Sequence, residues 1–93
     1  MIVGFRDRDA EILWQTGRSR RIPAALRKVV FRKLSLLNAA LEPANLAVLP
    51  GNRLEKLTGN RLGQYSIRVN DQFRICFRWR DGNAYDVEVV DYH

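Results

Sequence analysis

The chain of 93 residues is long enough for one small domain with a single hydrophobic core, and we expect residues 1–93 to form that one domain. Its single cysteine cannot form an internal disulfide, and the absence of a span-length apolar run or an apolar signal region predicts a cytoplasmic protein without membrane association. The formal net charge of +6, with 13 arginines and 3 lysines, favours a polyanionic partner, nucleic acid first and an acidic protein second, because guanidinium pairs bidentately with phosphate and stacks on bases.

The first half of the chain predicts two helices after a short apolar first strand at residues 1–5. Asp9 is the expected N-cap of a helix over residues 9–16, and Gly17 ends it. The clearer helix covers residues 23–41, where the proline suits the first turn. Its apolar positions recur at spacings of three and four and are Leu26, Val29, Val30, Leu34, Leu37 and Leu41. Its polar side carries Arg27, Lys28, Arg32 and Lys33.

The second half of the chain predicts strands. Residues 42–53 contain prolines, a glycine and asparagines, which indicates an irregular loop with at most a helical turn at residues 44–48. Residues 53–57 alternate well enough for a strand, and residues 58–63 turn the chain. Apolar and polar residues then alternate across residues 64–93, as in a three-stranded antiparallel meander. The order predicts an α+β fold, in which two N-terminal helices pack on a mostly antiparallel four- to five-stranded sheet.

The last hairpin is predicted to turn through three residues, 81–83, because a two-residue turn would set a core residue, Phe77, opposite the charged Asp86. The predicted pairs are Trp79 with Tyr85, Phe77 with Val87, Ile75 with Val89, Arg78 with Asp86, and Arg74 with Val90. In this register Tyr92 lies diagonally beside Arg74, and His93 follows at the same end of the sheet.

The polar face of this predicted sheet concentrates groups that could act on a phosphodiester. They are Arg68, Arg74, Arg78 and Arg80, with Glu55, Lys56 and Arg61 from the neighbouring strand and turn. RNA cleavage through the 2′-hydroxyl requires a base for that hydroxyl, a cation for the phosphate and an acid for the leaving 5′-oxygen. No metal-ligand cluster, phosphate-cradling glycine loop or nucleophile elbow occurs, so we expect neither a metal nor a cofactor. Each residue also has a structural interpretation, such as an ion pair between Arg78 and Asp86.

Three motifs carry a family resemblance. They are Leu-x-Gly-x-Arg-x-Gly-x-Tyr-Ser at residues 57–66, Asn-x-x-Phe-Arg-Ile at residues 70–75 and Asp-Tyr-His at residues 91–93. In combination they closely resemble the HigB branch of the RelE/ParE toxin superfamily, and the similarity extends over essentially the whole chain. The resemblance implies a RelE-like fold and a ribosome-dependent mRNA endonuclease that inhibits translation. It also implies a HigA-type helix-turn-helix antitoxin as partner, with operator DNA reached only through that antitoxin.

The resemblance also implies roles for particular residues. Arg74 would stabilise the phosphate, and the catalytic cluster at the terminus would consist of Asp91, Tyr92 and His93. Glu55 and Thr58 stand where some members carry a histidine and a lysine, so Glu55 is the candidate base. The residues expected to bind RNA are Lys56, Arg61, Arg68, Arg78, Arg80, Arg27 and Arg32.

Two other functions remain open at this point. ParE-type relatives are similar in fold but inhibit DNA gyrase by binding it, and fold alone does not separate the two activities. The Asp-Tyr-His terminus and Arg74 together favour the nuclease. A non-catalytic RNA-binding module would require exposed aromatic residues on the sheet, whereas the predicted register buries Phe73, Phe77 and Trp79.

Overall fold

Two helices precede a four-stranded sheet in the computed structural model, which describes residues 1–91. Helix α1 spans Arg8–Thr16, and helix α2 spans Arg27–Ala39. The antiparallel sheet has the strand order β1-β2-β3-β4, with β1 at Glu55–Lys56, β2 at Gln64–Arg68, β3 at Phe73–Arg80 and β4 at Asn83–Asp91. Short 3₁₀ helices occupy Ala24–Leu26, Pro43–Val48, Pro50–Asn52 and Gly59–Arg61. The predicted α+β class and the order of its elements are confirmed.

Helix α1 begins earlier than predicted. Its N-cap is Asp7, whose Oδ1 accepts hydrogen bonds from the backbone N–H groups of Asp9 and Ala10 at 3.0 and 3.3 Å. The assignment of Asp9 as N-cap was therefore wrong, although an acidic residue inside the first turn still complements the helix dipole. Gly17 ends the helix as predicted, in the left-handed conformation with φ of 76°.

Helix α2 is shorter than predicted at both ends. Residues 24–26 form a 3₁₀ turn before the α-helix begins, and the helix ends two residues before Leu41, which is 84% exposed. Val30, Leu34 and Leu37 are fully buried, as the apolar spacing predicted. Lys33 was placed on the solvated side of this helix, and that placement was wrong, because the residue is only 9% exposed.

The helices cover one face of the sheet. Strand β3 contributes Ile75 and Phe77 to the core, both fully buried, and they pack in one cluster with Leu13 of α1 and Leu34 of α2. Residues 1–5 form two isolated parallel bridges to β4 and no longer strand. The predicted first strand is thus present only as this short pairing at the β4 edge of the sheet.

The last hairpin turns through two residues, so the predicted three-residue loop was wrong. Arg80 pairs with Asn83 around Asp81 and Gly82, whose φ values of 53° and 79° are typical of a type I′ turn. The pairs next to the turn are Trp79 with Ala84 and Arg78 with Tyr85, instead of Trp79 with Tyr85 and Arg78 with Asp86.

A β-bulge then restores the predicted register. The pairing shifts by one residue between Cys76 and Arg78, so that Phe77 lies opposite the bulge and is not in the predicted one-to-one pair with Val87. Asp86, at φ 50°, supplies the extra residue. Beyond the bulge the predicted pairs of Ile75 with Val89 and Arg74 with Val90 are confirmed. The bulge keeps Val87 and Val89 in the core despite the shorter turn.

Asp7 connects α1, the segment before α2 and strand β4. Its Oδ2 accepts a hydrogen bond from the backbone N–H of Val89 at 3.1 Å and forms an ion pair with Arg21. Arg21 in turn donates to the carbonyl oxygen of Val89 at 3.1 Å. One acid–base pair therefore satisfies both backbone polar groups of Val89.

We predict that Asp7→Ala lowers the free energy of unfolding by about 2–4 kcal/mol, since it removes a helix cap and leaves a backbone donor without its partner. Asp7→Asn retains an acceptor oxygen and should cost less. The matched control is Asp9→Ala, which removes the half-exposed ion pair of Asp9 with Arg21 at 3.4 Å and one acidic residue of the first turn but no cap, and should cost about 1 kcal/mol or less. Urea denaturation measures all three, and equal losses for the two alanine variants would contradict this role of Asp7.

Candidate active site

The sheet face away from the helices is polar, and cross-strand pairing brings its side chains together in rows. One row runs across all four strands through Glu55, Ser66, Cys76 and Glu88. The next row contains Arg68, Arg74 and Val90. Residues directly opposite each other in an antiparallel sheet share a face, so these rows place carboxylates and guanidinium groups side by side.

Arg74 is the most constrained cation of this face. Its side chain is 11% exposed, and its Nε donates to Ser66 Oγ at 2.8 Å. One Nη2 hydrogen bond, of 2.6 Å, goes to the main-chain carbonyl oxygen of Arg53, and the carboxylate of Glu55 lies 4.0 Å from the same nitrogen. The structure therefore brings together two of the predicted catalytic residues, Arg74 and Glu55.

A second charged cluster on this face centres on Glu88, which sequence analysis missed. Its carboxylate is 14% exposed and lies 3.2 Å from Arg61 Nη2 and 3.5 Å from Arg6 Nε. Arg61 also donates to Gln64 Oε1 at 3.1 Å. Glu88 is two residues before Val90, which was predicted on the polar face, so strand alternation alone could have identified it.

Two other sheet arginines that were predicted to bind RNA have carboxylate partners. Arg68 lies 2.5 Å from the exposed carboxylate of Asp71, and this hydrogen bond and positive charge hold the pKa of Asp71 below its usual value. Arg78 lies 3.6 Å from Asp86, so the predicted ion pair forms although the two residues are not directly opposite. Arg80 stacks its guanidinium over the ring of Tyr85, 4.8 Å from the ring centroid.

Two predicted site residues lie on the other face of the sheet. Lys56 pairs with Tyr65, next to Glu55 in β1, and its Nζ is 5.9 Å from the centroid of that tyrosine ring. Asp91 pairs with the buried Phe73, and its carboxylate accepts a hydrogen bond from Gln72 at 3.1 Å. Alternation therefore separates Lys56 and Asp91 from the face of Arg74. The predicted residues Tyr92 and His93 lie outside the described residues.

The two helix arginines that were predicted to bind RNA differ in their surroundings. Arg27 donates to the main-chain carbonyl oxygens of Ser19 and Ile22 at 2.7 and 3.3 Å, so it fixes the segment before α2. Arg32 is exposed and forms no ion pair within residues 1–91. Only Arg32 of the two presents an uncommitted guanidinium to solvent.

Lys33 forms a buried contact that sequence analysis also missed. Its Nζ donates to Asn52 Oδ1 at 2.5 Å, and Asn52 Nδ2 donates to the carbonyl oxygen of Leu46 at 3.0 Å. Burial lowers the pKa of Lys33 below its ordinary value of 10.5, and the positive charges of Arg32 and Arg68 lower it further. In the described part of the chain no carboxylate pairs with Lys33, so a neutral amide is its partner.

Within residues 1–91 no group of three or more histidine, cysteine, aspartate and glutamate side chains could hold a metal ion. In the same range no helix is long and apolar enough to cross a membrane. The Arg74 face of the described structure carries guanidinium groups and carboxylates. Such groups can stabilise charge on a phosphate and move a proton.

Comparison with solved structures defines the class of protein. The chain superimposes with a TM-score of 0.61 on a toxin–antitoxin complex of YoeB and YefM from Staphylococcus aureus, at 20% identity and over 100% of this chain and 98% of that one. The YoeB dimer from the same organism gives a TM-score of 0.57 at 23% identity, over 99% of this chain and 94% of that one. At these identities the likeness concerns the fold, which is the RelE-like fold of small bacterial toxins, as predicted.

The sequence itself narrows this class to one family. A family model described as the RelE-like toxin of the type II toxin–antitoxin system HigB matches residues 3–93, and the chain belongs to this HigB-like toxin family. The toxin HigB-1 of Vibrio cholerae serotype O1 is 44% identical over 85 residues, which are 90% of each chain. The endoribonuclease HigB of Proteus vulgaris is 31% identical over 97 residues and the whole of both chains. These matches confirm the family resemblance seen in the sequence.

Proposed function

We propose that this HigB-type toxin is an endoribonuclease that cleaves mRNA on the ribosome and thereby inhibits translation. The observation that carries the proposal is Arg74, a fixed and largely buried guanidinium within reach of Glu55 on an arginine-rich face. The name of the Proteus vulgaris relative, endoribonuclease HigB, supports the same activity over the full length of the chain. The fully buried Phe77 and the 6% exposure of Phe73 speak against a module that binds RNA through these sheet aromatics.

In the proposed reaction the 2′-oxygen of one nucleotide attacks the adjacent phosphorus, and the bond from phosphorus to the 5′-oxygen breaks. The proton of the 2′-hydroxyl passes to a base, and an acid gives a proton to the leaving 5′-oxygen, so that the product ends in a 2′,3′-cyclic phosphate. Arg74 would stabilise the extra negative charge on the pentacoordinate phosphate. Glu55 is the candidate base, and we assign the remaining proton transfers to Tyr92 and His93, which follow Asp91 in the predicted cluster; Asp91 itself lies on the other face of the sheet. No step of this acid–base reaction requires a metal ion.

RNA would bind through the phosphate backbone. On the Arg74 face this role is proposed for Arg61, Arg68, Arg78 and Arg80, and beyond it for Lys56, Arg27 and Arg32. Each of these cations contributes electrostatic attraction that falls as salt rises. Three of these arginines already have a carboxylate partner and would exchange it for a phosphate; they are Arg61, Arg68 and Arg78. Arg32 and Arg80 would bind a phosphate without giving up a carboxylate partner within residues 1–91.

The partner of a type II toxin is an antitoxin, and the solved YoeB–YefM complexes are of this kind. For this chain we propose a HigA-type helix-turn-helix antitoxin that presents acidic residues to a toxin of charge +6 and that alone contacts operator DNA. The ribosome and its mRNA are the proposed targets of the free toxin in the cytoplasm.

We predict that Arg74→Ala lowers the rate of mRNA cleavage by about 100-fold or more, because it removes a fixed donor to the transition state. Its stability should fall by about 1–3 kcal/mol, since the hydrogen bonds to Ser66 and Arg53 are removed, and the protein should still fold. Arg74→Lys should recover only part of the activity, since an ammonium lacks the guanidinium fork. The charge-matched control is Arg8→Ala on the exposed side of α1, which should cleave like the wild type.

Primer extension on mRNA from expressing cells and on programmed ribosomes measures these rates. Discrete cuts within coding frames are expected for the wild type and for Arg8→Ala. A folded Arg74→Ala protein that still arrests growth and cuts mRNA would refute the site, and intact mRNA with broken DNA would indicate gyrase inhibition instead.

The proposed use of the 2′-hydroxyl gives a separate prediction. An mRNA with one 2′-deoxy or 2′-methoxy nucleotide at the cleavage site should resist the toxin, because the attacking nucleophile is missing or blocked. The same substitution one codon upstream is the matched control and should leave cleavage unchanged. Mass spectrometry of the wild-type product should find a 2′,3′-cyclic phosphate or a 3′-phosphate, and a 3′-hydroxyl would exclude this mechanism.

A protein truncated after Asp91 should lose mRNA cleavage, because the proposed acid–base residues Tyr92 and His93 are removed. Its thermal stability should be nearly that of the wild type, since the described hydrophobic core lies between Ala10 and Val89. Calorimetry and ribosome cleavage assays check the two parts. Cleavage at the wild-type rate by this truncated protein would move the proton transfers to residues within 1–91, of which Glu55 is the first candidate.

A further inference from the structure

The geometry points to Arg53 as a positioning residue that acts through its main chain: its carbonyl oxygen holds the guanidinium of Arg74 in the orientation that cleavage requires. This inference rests on the proposed function of Arg74. The two residues are 21 positions apart in the chain, and their contact is a 2.6 Å hydrogen bond from Arg74 Nη2.

The carbonyl of Arg53 reaches Arg74 because the backbone at Arg53 is left-handed. Its φ and ψ are 43° and 60°, immediately after the 3₁₀ helix Pro50–Asn52 and before β1. A left-handed residue commonly ends a helix, but the position usually belongs to glycine or asparagine, since other side chains are strained there. Arg53 therefore adopts a disfavoured backbone conformation, and in this conformation its carbonyl oxygen accepts the hydrogen bond from Arg74.

The residue before Arg53 anchors this turn to the core. Asn52 is 1% exposed, and its side chain links Lys33 of α2 to the carbonyl oxygen of Leu46. Burial of both polar side chains makes their mutual hydrogen bond costly to break, because neither has water to replace it. The position of the Arg53 carbonyl is thus fixed from α2, on the far side of the sheet from Arg74.

Acceptors on two different elements define the plane of the Arg74 guanidinium. On β2, Ser66 Oγ accepts from Nε at 2.8 Å and the Ser66 carbonyl oxygen accepts from Nη2 at 3.4 Å, and in the turn before β1 the Arg53 carbonyl oxygen accepts from the same Nη2 at 2.6 Å. The Arg53 bond is the shortest of the three, so its loss would leave Nη2 with one long hydrogen bond and would loosen the direction of the remaining N–H groups. Fixed orientation of a donor toward the transition state is what gives it catalytic value, and a displacement of about 1 Å can cost about 100-fold in rate.

The role of the main chain can be separated from the charge of the side chain. Arg53→Asn and Arg53→Val both remove the charge, but asparagine tolerates the left-handed region, whereas a β-branched residue does not. Arg53→Gly tolerates it as well. We expect the Asn and Gly variants to cleave at similar rates on saturating programmed ribosomes. We expect Arg53→Val to be about 10- to 100-fold slower than Arg53→Asn at saturation, with a similar KM.

A second measurement reports on Arg74 without any activity. The Nη2–H proton of Arg74 that donates to Arg53, assigned by comparison with Arg74→Lys, should exchange more slowly with solvent in the wild type, Arg53→Asn and Arg53→Gly than in Arg53→Val. If Arg53→Val does not fold, Asn52→Ala supplies the second disrupting variant, and faster exchange of this proton with a lower saturating rate is expected from it. Arg8→Asn controls for the loss of one positive charge.

The outcomes separate this inference from the proposed function. Equal rates and equal exchange protection in Arg53→Asn and Arg53→Val, with Arg74→Ala inactive, would overturn the positioning role and leave the nuclease intact. Unprotected Arg74 in a folded Arg53→Asn or Arg53→Gly protein would overturn it as well. Wild-type cleavage by Arg74→Ala would instead overturn the proposed site, and the exchange data would still decide whether Arg53 orients Arg74.

Discussion

The two-sidedness of strand β3 is the constraint on which the rest of the structure depends. Ile75 and Phe77 are fully buried beneath the helices, and the period of two in a strand then requires Arg74 and Arg78 to lie on the other face. A slip of one residue would bury two guanidinium groups and expose the centre of the core. Because hydrophobic burial is the dominant favourable term in folding, the core residues of β3 determine where its arginines are presented.

The β-bulge at Asp86 shows how a local preference and this global constraint are both satisfied. Asp81 and Gly82 favour a two-residue turn, while the core requires Val87 and Val89 on the helix side. One extra residue in β4, Asp86, allows both the two-residue turn and the burial of these valines. The sequence predicted the pairs beyond the bulge, since they follow from alternation alone. It did not predict the pairs near the turn, because a three-residue turn without a bulge and a two-residue turn with a bulge place the same residues of β4 in the core.

The same distinction explains which parts of the site could be predicted. Arg74 and Glu55 were placed together because both positions follow from strand alternation and family motifs. The contact between Lys33 and Asn52 could not be found in this way, since it depends on how a loop of 3₁₀ helices packs over one side of α2. A helical period assigns Lys33 to the polar side, and only tertiary structure shows that this side is covered. The hydrogen bond from Arg74 to the Arg53 carbonyl could not be predicted either, because every residue has a main-chain carbonyl oxygen and the sequence does not show which one accepts.

Charge compensation distinguishes Arg74 from Arg61, Arg68 and Arg78 on the same face. Within residues 1–91 the guanidinium groups of Arg61, Arg68 and Arg78 each have a carboxylate within 3.6 Å, which offsets their charge. Arg74 is instead held by three neutral oxygens of Ser66 and Arg53, and its carboxylate neighbour is 4.0 Å away. Neutral acceptors fix the orientation of a cation without cancelling its field. The guanidinium of Arg74 is therefore already oriented when a phosphate approaches this face. Among the described residues it also has no close carboxylate that the phosphate would have to displace. Stabilisation of charge in a transition state requires a cation that is oriented in advance in this way.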